Sequence, residues 1–192
     1  MRYINTAQPD SAFGRELLDV FAMELLHVRS ARAEHVAYLV SPWMGDVQLT
    51  LDGRGYFADL FPGQSHIAFQ ELLKRYMELG GRLRLVLRCY PDRARWDEPI
   101  LATVRLAREL WKGHAGRMEV RCFSDLHTKL FVGHTAGLMG SANFTPSGVG
   151  YNKELLQYVT DEAGVARLRQ EAEAIFAATR GRVREQPILE GS

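Results

Sequence analysis

The chain has 192 residues, 46% of them hydrophobic and 24% charged, with a formal net charge of +1. Those proportions belong to a folded globular protein and exclude a long disordered chain. The near-zero charge excludes binding of nucleic acid by a global field and leaves room only for a local patch.

The opening residues, Met-Arg-Tyr-Ile-Asn-Thr, hold no apolar signal core. No apolar run approaches the roughly 18 residues that span a bilayer. A soluble, cytoplasmic protein is expected, built as a single domain over residues 1–192, with its core at about 10–180 and a flexible polar tail at 185–192. Asp10 and Ser11 suit the cap of a first helix, and Phe13, Leu17, Leu18, Phe21, Leu25 and Leu26 then recur at helical spacing to about residue 31. Residues 35–40 are an apolar run ended by Ser41-Pro42 and read as a buried strand. Residues 45–63 are rich in glycine and aromatics and read as a mostly irregular segment; long ordered loops of this kind often carry function.

A helix is expected over about 65–79, with Ile67, Phe69, Leu72, Leu73 and Met77 inward and Gly80-Gly81 as its stop. A strand follows at 83–87, a helix at about 97–112 stopped by Gly113, and a strand at 118–122. Residues 126–132 and 137–139 form a hairpin through 133–136, and 154–159 form the last strand. Asp161 caps a final helix containing Val165, Leu168, Ile175 and Phe176, terminated by Gly181. Alternating strands and helices imply an α/β fold, with helices on both faces of a sheet that the hairpin makes mixed. Cys89 and Cys122 read as two small buried residues in strands, without metal-ligand spacing.

The stretch that carries chemistry begins at Asp125-Leu126-His127-Thr128-Lys129. On a strand, side chains two apart share a face, so His127 and Lys129 lie together. Two such cations repel unless an anion sits between them, and a phosphate is that anion. Gly140-Ser141-Ala142-Asn143 follows the next strand. The glycine permits close backbone approach, Ser141 offers a hydroxyl, and Asn143 an amide donor for a phosphoryl oxygen. Asn152 and Glu154 enter the last strand two residues apart, and Glu154 is placed to orient and charge-stabilise a catalytic imidazole.

These residues resemble the signature of the phospholipase D superfamily, His-x-Lys, four residues, Asp, then Gly-Ser-x-Asn, with a trailing Asn-x-Glu in its small nucleases. The matching residues are His127-Thr128-Lys129, Gly140-Ser141-Ala142-Asn143 and Asn152-Lys153-Glu154, and Ser41-Pro42-Trp43 after the first strand is also typical. The resemblance covers about residues 35–160. One position departs from it: the signature aspartate, which in the family acts mainly on local structure, falls at His134.

The resemblance implies a phospholipase D-like α/β/α sandwich and a two-step phosphodiesterase without metal or other cofactor. His127 forms a covalent phosphohistidine; Lys129, Asn143 and Glu154 complete the catalytic set, and Gly140, Ser141 and Asn152 bind the substrate phosphate. The mechanism needs two such histidines. This chain carries one motif, so the active site is expected on the two-fold axis of a homodimer. A nuclease acting on DNA or RNA is the first expectation. The alternatives are a catalytically weakened nucleic-acid-binding component of a defence or DNA-modification assembly, and a phospholipid hydrolase. No amphipathic basic helix offers stable membrane association.

Trp43, Arg88 and Arg93 are candidate nucleic-acid contacts. Arg82, Arg84 and Arg88, which alternate with leucines, read either as a solvated, helix-free edge or as a phosphate-tracking patch. Tyr56, Phe57 and Phe61 read as core or dimer packing ahead of base stacking. His134 reads as a surface turn histidine, and His27, His35, His66 and His114 as structural or exposed residues without telling partners.

Overall fold

The computed structural model describes residues 2–5, 12–30, 34–51, 55–90, 92–150 and 154–178. Among these, seven strands form one sheet: β1 (Arg2–Asn5), β2 (Val36–Ser41), β5 (Arg82–Leu87), β6 (Met118–Cys122), β7 (Lys129–Val132), β8 (Gly137–Gly140) and β9 (Leu155–Val159). Their order is β1-β9-β8-β7-β2-β5-β6. β2, β5 and β6 run parallel; β7, β8, β9 and β1 continue the sheet antiparallel. The parallel half needs crossovers, supplied by α3 (Phe69–Glu78) and α4 (Glu98–His114). The expected mixed α/β sandwich is therefore present.

α1 (Ala12–Ser30), α3 and α4 cover one face of the sheet. Leu83, Leu85 and Leu87 point to that face, as their period of two requires. Phe21 stacks on Phe131 with ring centroids 4.6 Å apart and meets Phe69 edge-on at 5.6 Å. α6 (Glu162–Ala178) covers the opposite face, where Val165, Leu168, Ala172 and Phe176 pack on Tyr38, Val40, Val86, Leu130 and Val132. Arg84 lies on this face, under a helix and not at a helix-free edge. It donates to Glu119 at 3.0 Å and to Glu173 at 2.8 Å, while Arg82 pairs with Glu34 at 2.8 Å. Both charges are engaged by carboxylates within the chain.

Several elements differ from the sequence expectations. The segment at 45–63 contains β3 (Gln48–Thr50) and α2 (Gly55–Leu60), and Phe57 and Phe61 are buried in the core. The helix expected from 65 begins at Phe69, because β4 (His66–Ala68) pairs antiparallel with β3. Leu49 and Ile67, each 2% exposed, face one another in that ribbon, and this burial outweighs helix propensity. β1 and a short α5 (Pro146–Gly150) carried no periodic signal. The caps at Asp10-Ser11, the stop at Gly181 and the tail at 185–192 lie outside the described residues.

Cys89 and Cys122 are buried as expected, but they are joined by a disulfide, with Cα atoms 5.4 Å apart. Cys122 ends β6, whereas Cys89 follows the end of β5 and lies outside the strand. The parallel register sets Leu87 beside Cys122, which brings residue 89 within bonding reach. Ile100 and Val104 of α4 bury the bond, and Trp43, Tyr90 and Trp96 pack against it.

Candidate active site

The sheet register assembles the site. Lys129 opens β7 directly opposite Gly140, the last residue of β8, and Gly140 in turn faces Leu156 of β9. Lys129, Gly140, Ser141 and Glu154 therefore converge at one end of three adjacent strands. His127 precedes β7 and does not lie within the expected strand 126–132; it is exposed, while Lys129 is half-buried. The Lys129 ammonium donates to the His127 carbonyl at 2.6 Å, which pins the backbone that carries the imidazole.

Ser141 Oγ donates to Glu154 Oε2 at 2.5 Å and accepts from the Leu155 amide at 3.1 Å. The hydroxyl thus locks the Glu154 carboxylate to the end of β8. A Cβ at Gly140 would lie 2.2 Å from the Leu155 carbonyl oxygen. Its missing side chain makes room for β9, a packing role beside the expected approach to a phosphate. Asn152 lies outside the described residues.

The backbone of Asn143 is held from two sides. Phe144 bridges Met44, and the Gly45 amide donates to Phe144 O at 2.9 Å. On the other side α5 packs so closely that a Cβ at Gly148 would stand 2.3 Å from Asn143 O. Met44 is fixed in turn by buried Thr103, whose hydroxyl accepts from the Met44 amide at 2.9 Å and donates to Pro99 O at 2.7 Å. Asn143 Oδ1 and Trp43 Nε1 flank this bridge, and both atoms are buried without a hydrogen-bond partner among the described residues. Buried polar atoms are normally satisfied. Asn143 Oδ1 and Trp43 Nε1 therefore each keep an unused hydrogen-bonding capacity.

Arg88 and Arg93 lie along the same end of the sheet. The Arg88 amide approaches Pro42 O at 3.4 Å, which ties the end of β5 to the Ser41-Pro42-Trp43 segment. Tyr90 receives the Arg95 guanidinium over its ring at 4.1 Å and that of Arg88 at 5.6 Å; Arg93 lies 5.6 Å over Trp96. The result is a cationic and aromatic shelf seated on the disulfide.

No protein-family profile and no curated protein matches the chain by sequence. Solved structures do match. NucT from Helicobacter pylori superposes with a TM-score of 0.54 at 12% identity, over 93% of this chain and 98% of that one. Nuc from Salmonella typhimurium, described as a phospholipase D family member, gives 0.50 at 15% identity over 93% of each chain. TrmBL2, an archaeal chromatin protein, gives 0.53 at 9% identity over 93% of this chain and 52% of that one.

The chain has a phospholipase D-like fold.

Within that phospholipase D-like framework, the turn holding His134 is organised by a residue the motif does not contain. Glu24 of α1 is fully buried and accepts from the amides of His134 at 2.9 Å, Thr135 at 2.7 Å and Ala136 at 3.2 Å, and from the Thr135 hydroxyl at 2.5 Å. A Cβ at Gly133 would lie 1.9 Å from the Glu24 carboxyl carbon, so only glycine admits it. The backbone of the turn that carries His134 is thus held by an acid reaching in from a helix. Its sequence signal was present: Leu17, Phe21, Glu24 and Val28 share one apolar stripe of α1, where a carboxylate needs partners.

His134 is not a lone surface turn residue. It is half-buried and packs with His27 and His35. Burial, and next the nearby Arg169 charge, depress its pKa from 6.5 to about 4. The turn that carries it follows Val132, at the far end of β7 from Lys129. His66 and His114 make local contacts, with the Ser65 hydroxyl and Leu110 O respectively.

Proposed function

We propose that this chain is a metal-independent phosphodiesterase that cleaves DNA or RNA as a homodimer, with His127 as its nucleophile. The observation that supports this reading is that Lys129, which holds the His127 carbonyl, and the Ser141–Glu154 pair meet at one end of β7, β8 and β9, with the His127 side chain exposed. An imidazole exposed beside a pinned lysine suits a site that a second copy completes.

The reaction then runs in two steps. The His127 imidazole attacks phosphorus; the bond to the leaving oxygen breaks, and that oxygen takes a proton from His127 of the second copy. The second imidazole next removes a proton from water, whose oxygen attacks phosphorus and expels the first imidazole. Lys129 and Asn143 of both copies hold the phosphoryl oxygens through the charge shift. Glu154, fixed by Ser141, stabilises the histidine when it is charged. The shelf of Arg88, Arg93, Arg95, Tyr90 and Trp96 supplies what a polynucleotide needs, cations for the backbone and flat rings for bases.

Among the described residues no helix is long and apolar enough to cross a membrane. The disulfide favours an oxidising compartment over the expected cytoplasm, since such bonds are rare in reducing surroundings.

A second reading is that the chain binds DNA without cutting it. It is favoured by the fold shared with TrmBL2, for which a mode of DNA binding is described, and by His134 at the signature position. One experiment separates the two: purified protein is incubated in EDTA with plasmid, single-stranded DNA, RNA and choline-bearing vesicles. Nuclease action in EDTA, lost by at least about 10⁴-fold in His127→Ala, supports the enzyme. A salt-sensitive gel shift without turnover, unchanged in His127→Ala, supports the binding module. Choline release with intact nucleic acid overturns both.

A further inference from the structure

The end of the sheet opposite the candidate active site holds three imidazoles that the proposed chemistry does not use. His27 stands in the last turn of α1, His35 immediately before β2, and His134 in the β7–β8 turn. Ring centroids are 4.6 Å apart for His27 and His35, 4.5 Å for His35 and His134, and 6.0 Å for His27 and His134. One ring nitrogen from each lies within 4.8 Å of the other two. We propose that His27, His35 and His134 form a binding site for a divalent transition metal, zinc by preference, which ties α1 and the start of β2 to the β7–β8 hairpin.

The decisive residue is His35. It is 6% exposed, and neither of its ring nitrogens has a hydrogen-bond partner among the described residues. Leaving two such atoms bare is costly, and a histidine kept only for packing has no need of them. A metal satisfies one directly. Three neutral imidazoles are a favoured donor set for zinc, and His27 and His134 are only half-buried, which leaves a fourth position open to water.

Nitrogens on one tetrahedral zinc stand about 3.4 Å apart, given bonds of about 2.0–2.1 Å. The ligand nitrogens, within 4.8 Å of one another, close by little more than 1 Å to reach that spacing. His134 Nε2 accepts one long contact, 3.3 Å from the Val36 amide, which a metal at that nitrogen replaces. The charges nearby are matched. Arg169 donates to Val36 O and Gly133 O at 2.8 Å each, and the buried Glu24 carboxylate beneath the hairpin offsets it. Glu24 also holds the backbone amide of His134 and so fixes where its side chain starts.

The test uses full-length protein stripped by chelator and then titrated with ZnCl₂ or CoCl₂. Expected are one metal per chain, visible d–d absorption of a low-coordinate cobalt site, and a melting temperature raised by about 5–10 °C at a hundredfold excess over Kd. His27→Gln and His134→Gln, both at half-buried positions, lose the cobalt spectrum and the zinc shift while keeping the far-ultraviolet circular dichroism of a folded protein. His35→Ala adds the buried position where it folds. His127→Ala keeps all metal readouts, so the outcome is independent of whether the chain is a nuclease. No stoichiometric binding by the stripped protein, or binding unchanged in His27→Gln and His134→Gln, overturns the proposal.

Discussion

Glu24 shows how one buried side chain organises a turn. It takes four hydrogen bonds from three consecutive residues of the β7–β8 turn, with no exposure to solvent. Glu24→Ala leaves three amides of the turn without their acceptor and a hole beneath it. We expect a loss of about 3 kcal/mol in urea unfolding. Activity per folded molecule should change little, because Lys129 lies at the other end of β7. His127→Ala should behave in the opposite way: unchanged unfolding, since the ring is exposed, and no turnover in EDTA.

Among the elements, the disulfide does the most with the fewest atoms. It closes a loop of 33 residues between the ends of β5 and β6. The loop-entropy relation gives roughly 3–4 kcal/mol for a closure of that size. Cys89→Ala with Cys122→Ala, or treatment with a reductant, should lower the unfolding free energy by about that amount. Binding of single-stranded DNA should weaken alongside it, because Trp43, Tyr90 and Trp96 rest on the bond. The pairing was not legible in the sequence, where the two cysteines stand far apart and only the parallel register of β5 and β6 joins them. Strong local periods were legible: the leucines of β5, the inward faces of α3 and α4, and the β7–β8 hairpin all follow spacings of two or about four. β1, β3, β4 and α5 are too short to show a period and exist through their neighbours. The candidate site was proposed from the same hairpin, since His127, Lys129 and the 140–143 run straddle one turn. The histidine cluster was hidden because Val36 and His134 meet across a sequence separation of 98 residues.

Two expectations concern the molecule as a whole. The first is assembly: a shared site requires that light scattering report a dimer, and that mixing His127→Ala with active protein yield heterodimers with sharply reduced turnover. A particle of 21.7 kDa with full activity would contradict this. The second is acid stability of the metal-free protein. The His134 pKa is depressed to about 4, and burial also lowers that of His35, against 6.5 when unfolded. The unfolded chain therefore takes up protons first. Stability is fully present above about pH 6.5 and declines as the pH falls toward 4. Melting temperatures across that range should fall, and less steeply in His134→Gln.

The sheet order places β7 in the middle of seven strands, while β1, only four residues long, closes the flank next to β9. Removing residues 2–5 would strip that cover and leave the backbone groups of β9 that face β1, between Leu155 and Tyr158, unpaired, with the Leu155 side chain already 56% exposed. A bare strand of that kind recruits strands from other molecules. A shortened N-terminus should therefore produce protein that clumps through the strand following Glu154, and loss of solubility would precede any loss of chemistry.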